Sequence, residues 1–470
     1  MSRPLTCLTL TLAALCLTPA AVWAGDPIDV KNDSVFFRAQ NLPNPTDMSP
    51  AAIARRSVVR NFLEAHPNYN IEAFAMPEVS GQAMDSGPLM AIAAGVPPHC
   101  IYVNFRQSST YVAQGFLAPL EELLARIQSD NPRVREVDDD DNWVQDPTDQ
   151  KIADALQQIK ARVPGPAWPV VYRSDESGPD SPKSVCAIPI QNLVMGLLYR
   201  KDLFAAAGLS PDQPPETWEQ LMQFARDMTV PEKRQYGMMV YAGGRDVSWG
   251  TYAFLVSTDA RAVKLDEEGN WRAAYNTRGA AEAIYFMWRM AHESFKRDGE
   301  DIPGCLKLAK PADWGELWKL GRIGMKFEYL NDEVLSGMNP QLVGIAPVPK
   351  SDPGGVSEQY LLDNGLGGSG SEVNCQMLGV FSGSTPLQQL AVMEFIWYFT
   401  GEEAQRERTR VYVESGMGKF VSPVLLERFG YDRLRKQVPE GWQKAFTQAM
   451  ENGVPEPYGR NTQHIYRYMS

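Results

Sequence analysis

The chain has 470 residues, 44% of them hydrophobic and 10% aromatic, enough apolar material for more than one core. Its net charge of −12 at pH 7 excludes the basic face that a phosphate-backbone partner requires and points to a small or neutral ligand. The four histidines, His66, His99, His292 and His464, are too scattered to form a metal-ligand pattern, which argues against a zinc enzyme.

Residues 1–24 read as a secretory signal peptide: Arg3, an apolar run from Leu5 to Leu17, Pro19, and the small-residue exit Val22-Trp23-Ala24 before Gly25. Cys16 follows Leu15, not the small residue of a lipoprotein cleavage site, so the expectation is a periplasmic protein without a lipid anchor. No later stretch is long and uncharged enough to span a bilayer.

Val35-Phe-Phe-Arg-Ala-Gln40 predicts a buried strand, and residues 49–65 predict a helix entered by Ser-Pro and stopped at His66-Pro67. A strand over 71–75, a helix over 89–95 broken by Pro97-Pro98, and a strand over 100–103 continue the alternation. That pattern is the one of a parallel α/β sheet covered on both faces.

Residues 138–149 space Asp138, Asp140, Asn142, Asp146 and Asp149 somewhat like a calcium loop. Trp143 stands where such a loop needs glycine, and a solvated acidic loop is the expectation. Residues 165–183 read as a connection, 185–190 as a strand and 193–199 as a second apolar stretch. Thr217 caps a helix whose stripe is Trp218, Leu221, Ala225 and Met228, with Gln220 as capping-box partner. Residues 280–291 predict a helix with Ile284, Met287, Trp288 and Ala291 on its apolar face. Strands follow over 324–329 and 343–348, then a glycine-rich flexible connection over 351–374, a strand over 377–381 and an amphipathic helix over 387–399.

Catalytic grammar is missing. Ser177, Ser257 and Ser336 lack the Gly-x-Ser-x-Gly turn that exposes a nucleophile, and Gly367-Gly-Ser-Gly370 lacks the lysine of a phosphate cradle. A glycosidase carboxylate pair has no support, and neither a cofactor nor a catalytic residue is expected. Trp143, Trp168, Trp249, Tyr252, Trp314, Trp318 and Tyr329 read as standing in or beside loops, where aromatic faces suit sugar rings; for each, core packing is the competing reading. Outside the signal peptide remain Cys100, Cys186, Cys305 and Cys375, which allow three full disulfide pairings or separate buried thiols.

Gly196-Leu-Leu-Tyr-Arg-Lys-Asp-Leu-Phe-Ala-Ala-Ala-Gly-Leu209, followed by Pro214-Pro-Glu-Thr-Trp-Glu-Gln-Leu221, resembles the signature of family 1 extracellular solute-binding proteins of ABC importers. Ala91-Ile-Ala-Ala-Gly-Val-Pro-Pro98, Gln114-Gly-Phe-Leu-Ala-Pro-Leu120, Gly321-Arg-Ile-Gly-Met-Lys-Phe327 and Gly344-Ile-Ala-Pro-Val-Pro349 follow the family's order. The resemblance implies a two-lobed periplasmic-binding-protein-like (type II) α/β fold with a ligand cleft between the lobes. Lobe one would take residues 25–185 with a return at 375–413, and lobe two residues 186–374 with 414–470. It also implies hinge closure on a carbohydrate and delivery of that sugar, by a monomer, to an inner-membrane ABC permease. A sensor that presents its ligand to a membrane receptor, and a binding protein for a non-sugar solute, are the alternatives. Cleft residues carried over are Gln40, Asn41, Asn104, Gln191, Asn192, Trp249, Glu328 and Tyr329. Ile188-Pro-Ile-Gln191 departs from the family's Ile-Pro-Tyr-Asp, and the chain stops soon after Pro455-Glu-Pro457, where relatives continue into a helix.

Overall fold

The structure, a computed structural model, describes residues 34–74, 83–174, 181–241, 247–330, 339, 341–438, 440–460, 462 and 465. The signal-peptide reading at 1–24 lies outside the described residues. In chain order the strands are β1 (Val35–Ala39), β2 (Tyr69–Ala73), β3 (Cys100–Val103), β4 (Tyr172–Arg173), β5 (Ser184–Val185), β6 (Ile188–Arg200), β7 (Tyr236–Tyr241) and β8 (Val263–Leu265). They continue as β9 (Trp271–Ala273), β10 (Phe295–Arg297), β11 (Glu300–Ile302), β12 (Leu306–Ala309), β13 (Ile323–Tyr329), β14 (Val343–Ala346), β15 (Glu372–Val380) and β16 (Val454–Pro455).

One mixed sheet organises the chain, in the order β12-β7-β13-β6-β15-β3-β1-β2, with β14 beside β6 and β16 beside β15. β6 is its axis. Residues 188–194 pair antiparallel with β15, and residues 195–200 pair antiparallel with β13 and β14. The sequence predicts two separate segments here because Gln191 and Asn192 interrupt the apolar run. The strand is nonetheless continuous, and those two amides fall in the stretch still paired to β15, just ahead of the change of partner. β15 is hidden in the sequence for the same reason. Glu372, Asn374 and Gln376 disguise its first half as part of the glycine-rich connection, which itself contains the helix Glu358–Asp363.

The predicted start of the chain is observed: β1, the helix Pro50–Ala65 capped by Ser49, β2 and β3, with β1 parallel to both of its neighbours. The Oγ of Ser49 accepts the Ala52 N–H at 3.2 Å, satisfying one of the orphan donors of the first turn. The helix Trp218–Met228 is capped by Thr217, and it buries Trp218, Leu221, Met222, Ala225 and Met228. Gln220 reaches back to the Glu216 N–H at 2.7 Å, one residue before the expected partner. Trp218 stacks on Phe286 with centroids 4.5 Å apart, which fixes this helix against the core around β7 and β13.

Several readings change. The helix Arg278–His292 is rotated from the expected face: Ala280, Ala283, Phe286 and Met290 are buried, Met287 and Ala291 pack partly buried against the same core, and Ile284 and Trp288 are 47% and 54% exposed. Its alanines mask the true stripe. The helix Pro386–Phe399 is not amphipathic, since every residue from Leu390 to Phe399 is buried between neighbours. Residues 165–173 form short helices and β4. Tyr252 and Trp318 lie in the helices Val247–Ser257 and Pro311–Lys319 and are buried, so they are core residues. In the acidic loop the Asp138 carboxylate accepts the N–H groups of Asp140 and Asn142, and Arg126 binds Asp146 at 2.6 Å. Among the described residues no group of three or more His, Cys, Asp or Glu could hold a metal. The four cysteines are free and buried. No helix among the described residues is long and apolar enough to cross a membrane.

Candidate functional site

From β1 the chain crosses to β2 on one side, and from β2 it returns past β1 to β3 on the other. Right-handed crossovers in opposite directions place the two connecting helices on opposite faces, which leaves a crevice outside the carboxyl ends of β1 and β3. Gln40 and Asn41 follow β1, and Asn104 follows β3, so three of the expected cleft residues stand at this switch point. Gln40 is buried, and its Oε1 accepts the Tyr102 N–H at 2.9 Å, tying the two strand ends together. Asn41 is exposed in the left-handed region at φ 60°. The Oδ1 of Asn104 accepts the Gln107 N–H at 2.9 Å and caps the helix Phe105–Ala113.

Gln191 and Asn192 lie on β6 opposite Gln376 and Cys375 of β15. Arg55 Nη2 donates to Gln191 Oε1 at 2.7 Å and to Gln376 Oε1 at 2.9 Å, so one guanidinium clips both crossing strands to the helix Pro50–Ala65. Glu328 and Tyr329 end β13 on the other half of the sheet, opposite Gly196 and Met195. Glu328 is buried with its Oε2 2.9 Å from Lys326 Nζ, and Tyr329 is half-buried against the adjoining core. Position 249 lies inside the helix Val247–Ser257 rather than in a loop, and the Trp249 side chain lies outside the described residues. Seven of the eight expected residues thus fall into three groups, at strand ends, on the crossing strands and at the end of β13, and position 249 lies apart from them on its helix.

Sequence reasoning missed a polar cluster beside the crossing. Arg106 Nε donates to Glu456 Oε1 at 3.0 Å, and Asn374 Nδ2 donates to Glu456 Oε2 at 2.7 Å. Thr462 Oγ1 donates to the Arg106 carbonyl at 3.1 Å, and the Tyr458 ring meets Trp271 edge-on with centroids 5.1 Å apart. β16 runs parallel to β15, pairing Val454 with Glu372 and Pro455 with Val373. The segment from Val454 to Thr462 therefore joins β15, the start of the helix Phe105–Ala113 and the β8–β9 hairpin. The only hint in the sequence is a glutamate held between two prolines at 455–457.

A groove of about 610 Å³ adjoins β6 at Pro189–Asn192. It is walled by the helix Glu402–Glu414 on one side and by Trp442 and Phe446 on the other.

The model of the bacterial extracellular solute-binding protein family matches residues 45–406. A 65-residue stretch is 43% identical to the mannitol-binding protein of Pseudomonas aeruginosa, spanning 14% of this chain and 14% of that protein's length. Among solved structures, maltose-bound MalE3 of T. maritima has a TM-score of 0.62 at 16% identity, over 92% of this chain and 93% of that one. A Thermotoga lettingae solute-binding protein bound with α-D-tagatose has a TM-score of 0.60 at 18% identity, over 92% and 91%. An Agrobacterium vitis solute-binding protein with bound D-mannitol has a TM-score of 0.53 at 17% identity, over 88% and 84%. With more than half its length matched by the family model and its α/β fold shared with these two-lobed proteins, the chain belongs to the bacterial extracellular solute-binding protein family.

Proposed function

We propose that the protein is the periplasmic solute-binding component of an ABC importer and that its solute is a carbohydrate. The observation that carries this reading is the pair of crossing strands, where β6 and β15 present Gln191, Asn192, Asn374 and Gln376 beside the crevice at the ends of β1 and β3. With their Oε1 atoms held by Arg55, Gln191 and Gln376 keep amide N–H donors for a sugar hydroxyl, and neutral amides bind without the desolvation cost of a charge. Support comes from three fold neighbours that hold maltose, tagatose and mannitol, and from the stretch shared with a mannitol-binding protein.

In this reading residues 1–24 export the chain, lobe one spans 25–185 with 375–413, and lobe two spans 186–374 with 414–470. The sugar enters between them and meets Gln40, Asn41, Asn104, Gln191, Asn192, Trp249, Glu328 and Tyr329. Closure about β6 and β15 completes contacts that the open form lacks, and the closed monomer then docks on a membrane permease. No bond of the sugar is broken. Denaturing the purified protein and identifying the released small molecule by mass tests the reading: a carbohydrate supports it, and a non-sugar solute overturns it.

A further inference from the structure

β3 and β16 lie end to end along one edge of β15, because Val373 and Met377 each pair with β6 on the other edge as well. Met377 faces Val103, the last residue of β3, and Val373 faces Pro455 of β16. Residues 374–376 therefore form a gap in that edge, directly beyond the carboxyl end of β3 and so beside the crevice. Glu456 reaches into it. Its Oε2 accepts Asn374 Nδ2 at 2.7 Å, and its Oε1 accepts Nε of Arg106, two residues past Asn104, at 3.0 Å.

The segment 454–460 is held from both sides. Tyr458 packs against the core around β1 and β3, and Val454 against the core around β7 and β13. Thr462 is buried, with its Oγ1 3.1 Å from the Arg106 carbonyl and 2.8 Å from that of Gly459. On the far side stands Trp271 of the β8–β9 hairpin, whose flanking residues Ala262 and Tyr275 belong to the core around β7 and β13. The hairpin is largely exposed, with Leu265 at 54%, whereas Trp271 is half-buried and meets the Tyr458 ring. Gly459 has φ 112°, and a Cβ there would lie 2.1 Å from the indole. The indole thus rests on bare backbone.

Contacts that join two bodies favour the arrangement in which they are made, and removing them favours wider separations. Bending at β6 and β15 must carry this segment along or break its hold. We propose that the segment 454–460 is a brace between the lobes and that Trp271 is a positioning residue for sugar capture. Trp271 clamps the brace to lobe two, while Arg106 and the packing of Tyr458 hold it to lobe one. The inference rests on the two-lobed reading above. A braced chain spends more of its time poised to close, and apparent affinity for the sugar follows that fraction.

Electron-spin distances between labels on Ala153→Cys and Ala281→Cys test this in the sugar-free protein. Both positions are exposed, on the helices Asp149–Lys160 and Arg278–His292, and the four native thiols are buried. The expected result is that Trp271→Ala shifts the distribution to longer distances and broadens it with melting temperature little changed, while Trp271→Phe restores the wild-type distribution. Gly459→Ala, which forces the indole away, gives the same shift and adds nothing in the Trp271→Ala background. Wild-type distributions in both Trp271→Ala and Gly459→Ala overturn the brace, as does a shift in Trp271→Phe equal to that in Trp271→Ala. A shift that comes only with a matching loss of melting temperature also overturns it, leaving Trp271 as packing alone. Because no sugar is added, the result does not depend on which solute the crevice takes, and sugar binding with unmoved distances removes the brace without touching the carbohydrate reading.

Discussion

Arg106 and Glu456 stand 350 positions apart in the chain, yet Nε of one donates to Oε1 of the other at 3.0 Å. Their side chains are only 19% and 3% exposed, so the pair joins the helix after β3 to the segment after β16 in a largely dry setting. A buried pair contributes little relative to apolar residues of equal shape, but removing one partner strands the other charge. Glu456→Ala is therefore expected to cost about 3–5 kcal/mol in urea unfolding, while Arg106→Met with Glu456→Leu costs less than the sum of the two single changes. Additive costs in the cycle would show that the two side chains do not act together.

Glu394 lies inside the helix Pro386–Phe399, where its Oε2 accepts the Tyr69 hydroxyl at 2.6 Å. Burial pushes its carboxyl up to about 7 from an ordinary 4.5, against the lowering effects of the Tyr69 bond and Arg135. The folded chain keeps a proton that the unfolded chain releases, so this contribution is present below pH 4.5 and is lost as pH rises through 7. Glu394→Gln is expected to flatten stability across that window, by on the order of 3 kcal/mol. Urea midpoints measured across the range check it, and an unchanged slope in the variant contradicts it.

Trp218 is fully buried between Phe286 and Phe254. Trp218→Ala leaves a large void under the helix it begins and is expected to cost about 3–5 kcal/mol. Differential scanning calorimetry reads this as a drop in Tm, and a variant melting with the wild type would remove Trp218 as an anchor.

Gly344 in β14 faces Tyr199 of β6 so closely that a Cβ there would lie 2.0 Å from the ring. Gly344→Val is expected to disrupt pairing along the lower half of β6, where Tyr199 also bonds the Pro211 carbonyl at 3.0 Å. Hydrogen exchange of the 197–200 amides should rise strongly, and protection equal to that of the wild type would contradict the close approach.

The elements that carry their own punctuation were legible in the sequence. Ser49-Pro50 and Thr217 announce helix starts through caps, and β1, the helix Pro50–Ala65, β2 and β3 follow a repeating apolar pattern. The crossing strands were not legible as strands. Their amides at 191, 192, 374 and 376 interrupt the pattern that marks a strand, although Gln191 and Asn192 were still placed in the cleft by family resemblance. The Arg106–Glu456 cluster was invisible because nothing local links positions separated by most of the chain. Ile284 and Trp288 misled for another reason: alanines buried the true face, so hydrophobicity pointed the helix outward. Trp249, expected in a loop after Gly243 and Gly244, falls within the helix Val247–Ser257.

The central claim is carbohydrate capture at the crevice outside the ends of β1 and β3, beside β6 and β15. Titration calorimetry of the mature chain with maltose, mannitol, tagatose and a panel of further mono- and oligosaccharides tests it most directly. The account predicts saturable, one-to-one heat with at least one sugar, weakened in Asn41→Ala and Trp249→Ala while melting temperature holds. No heat with any sugar in the panel would contradict it.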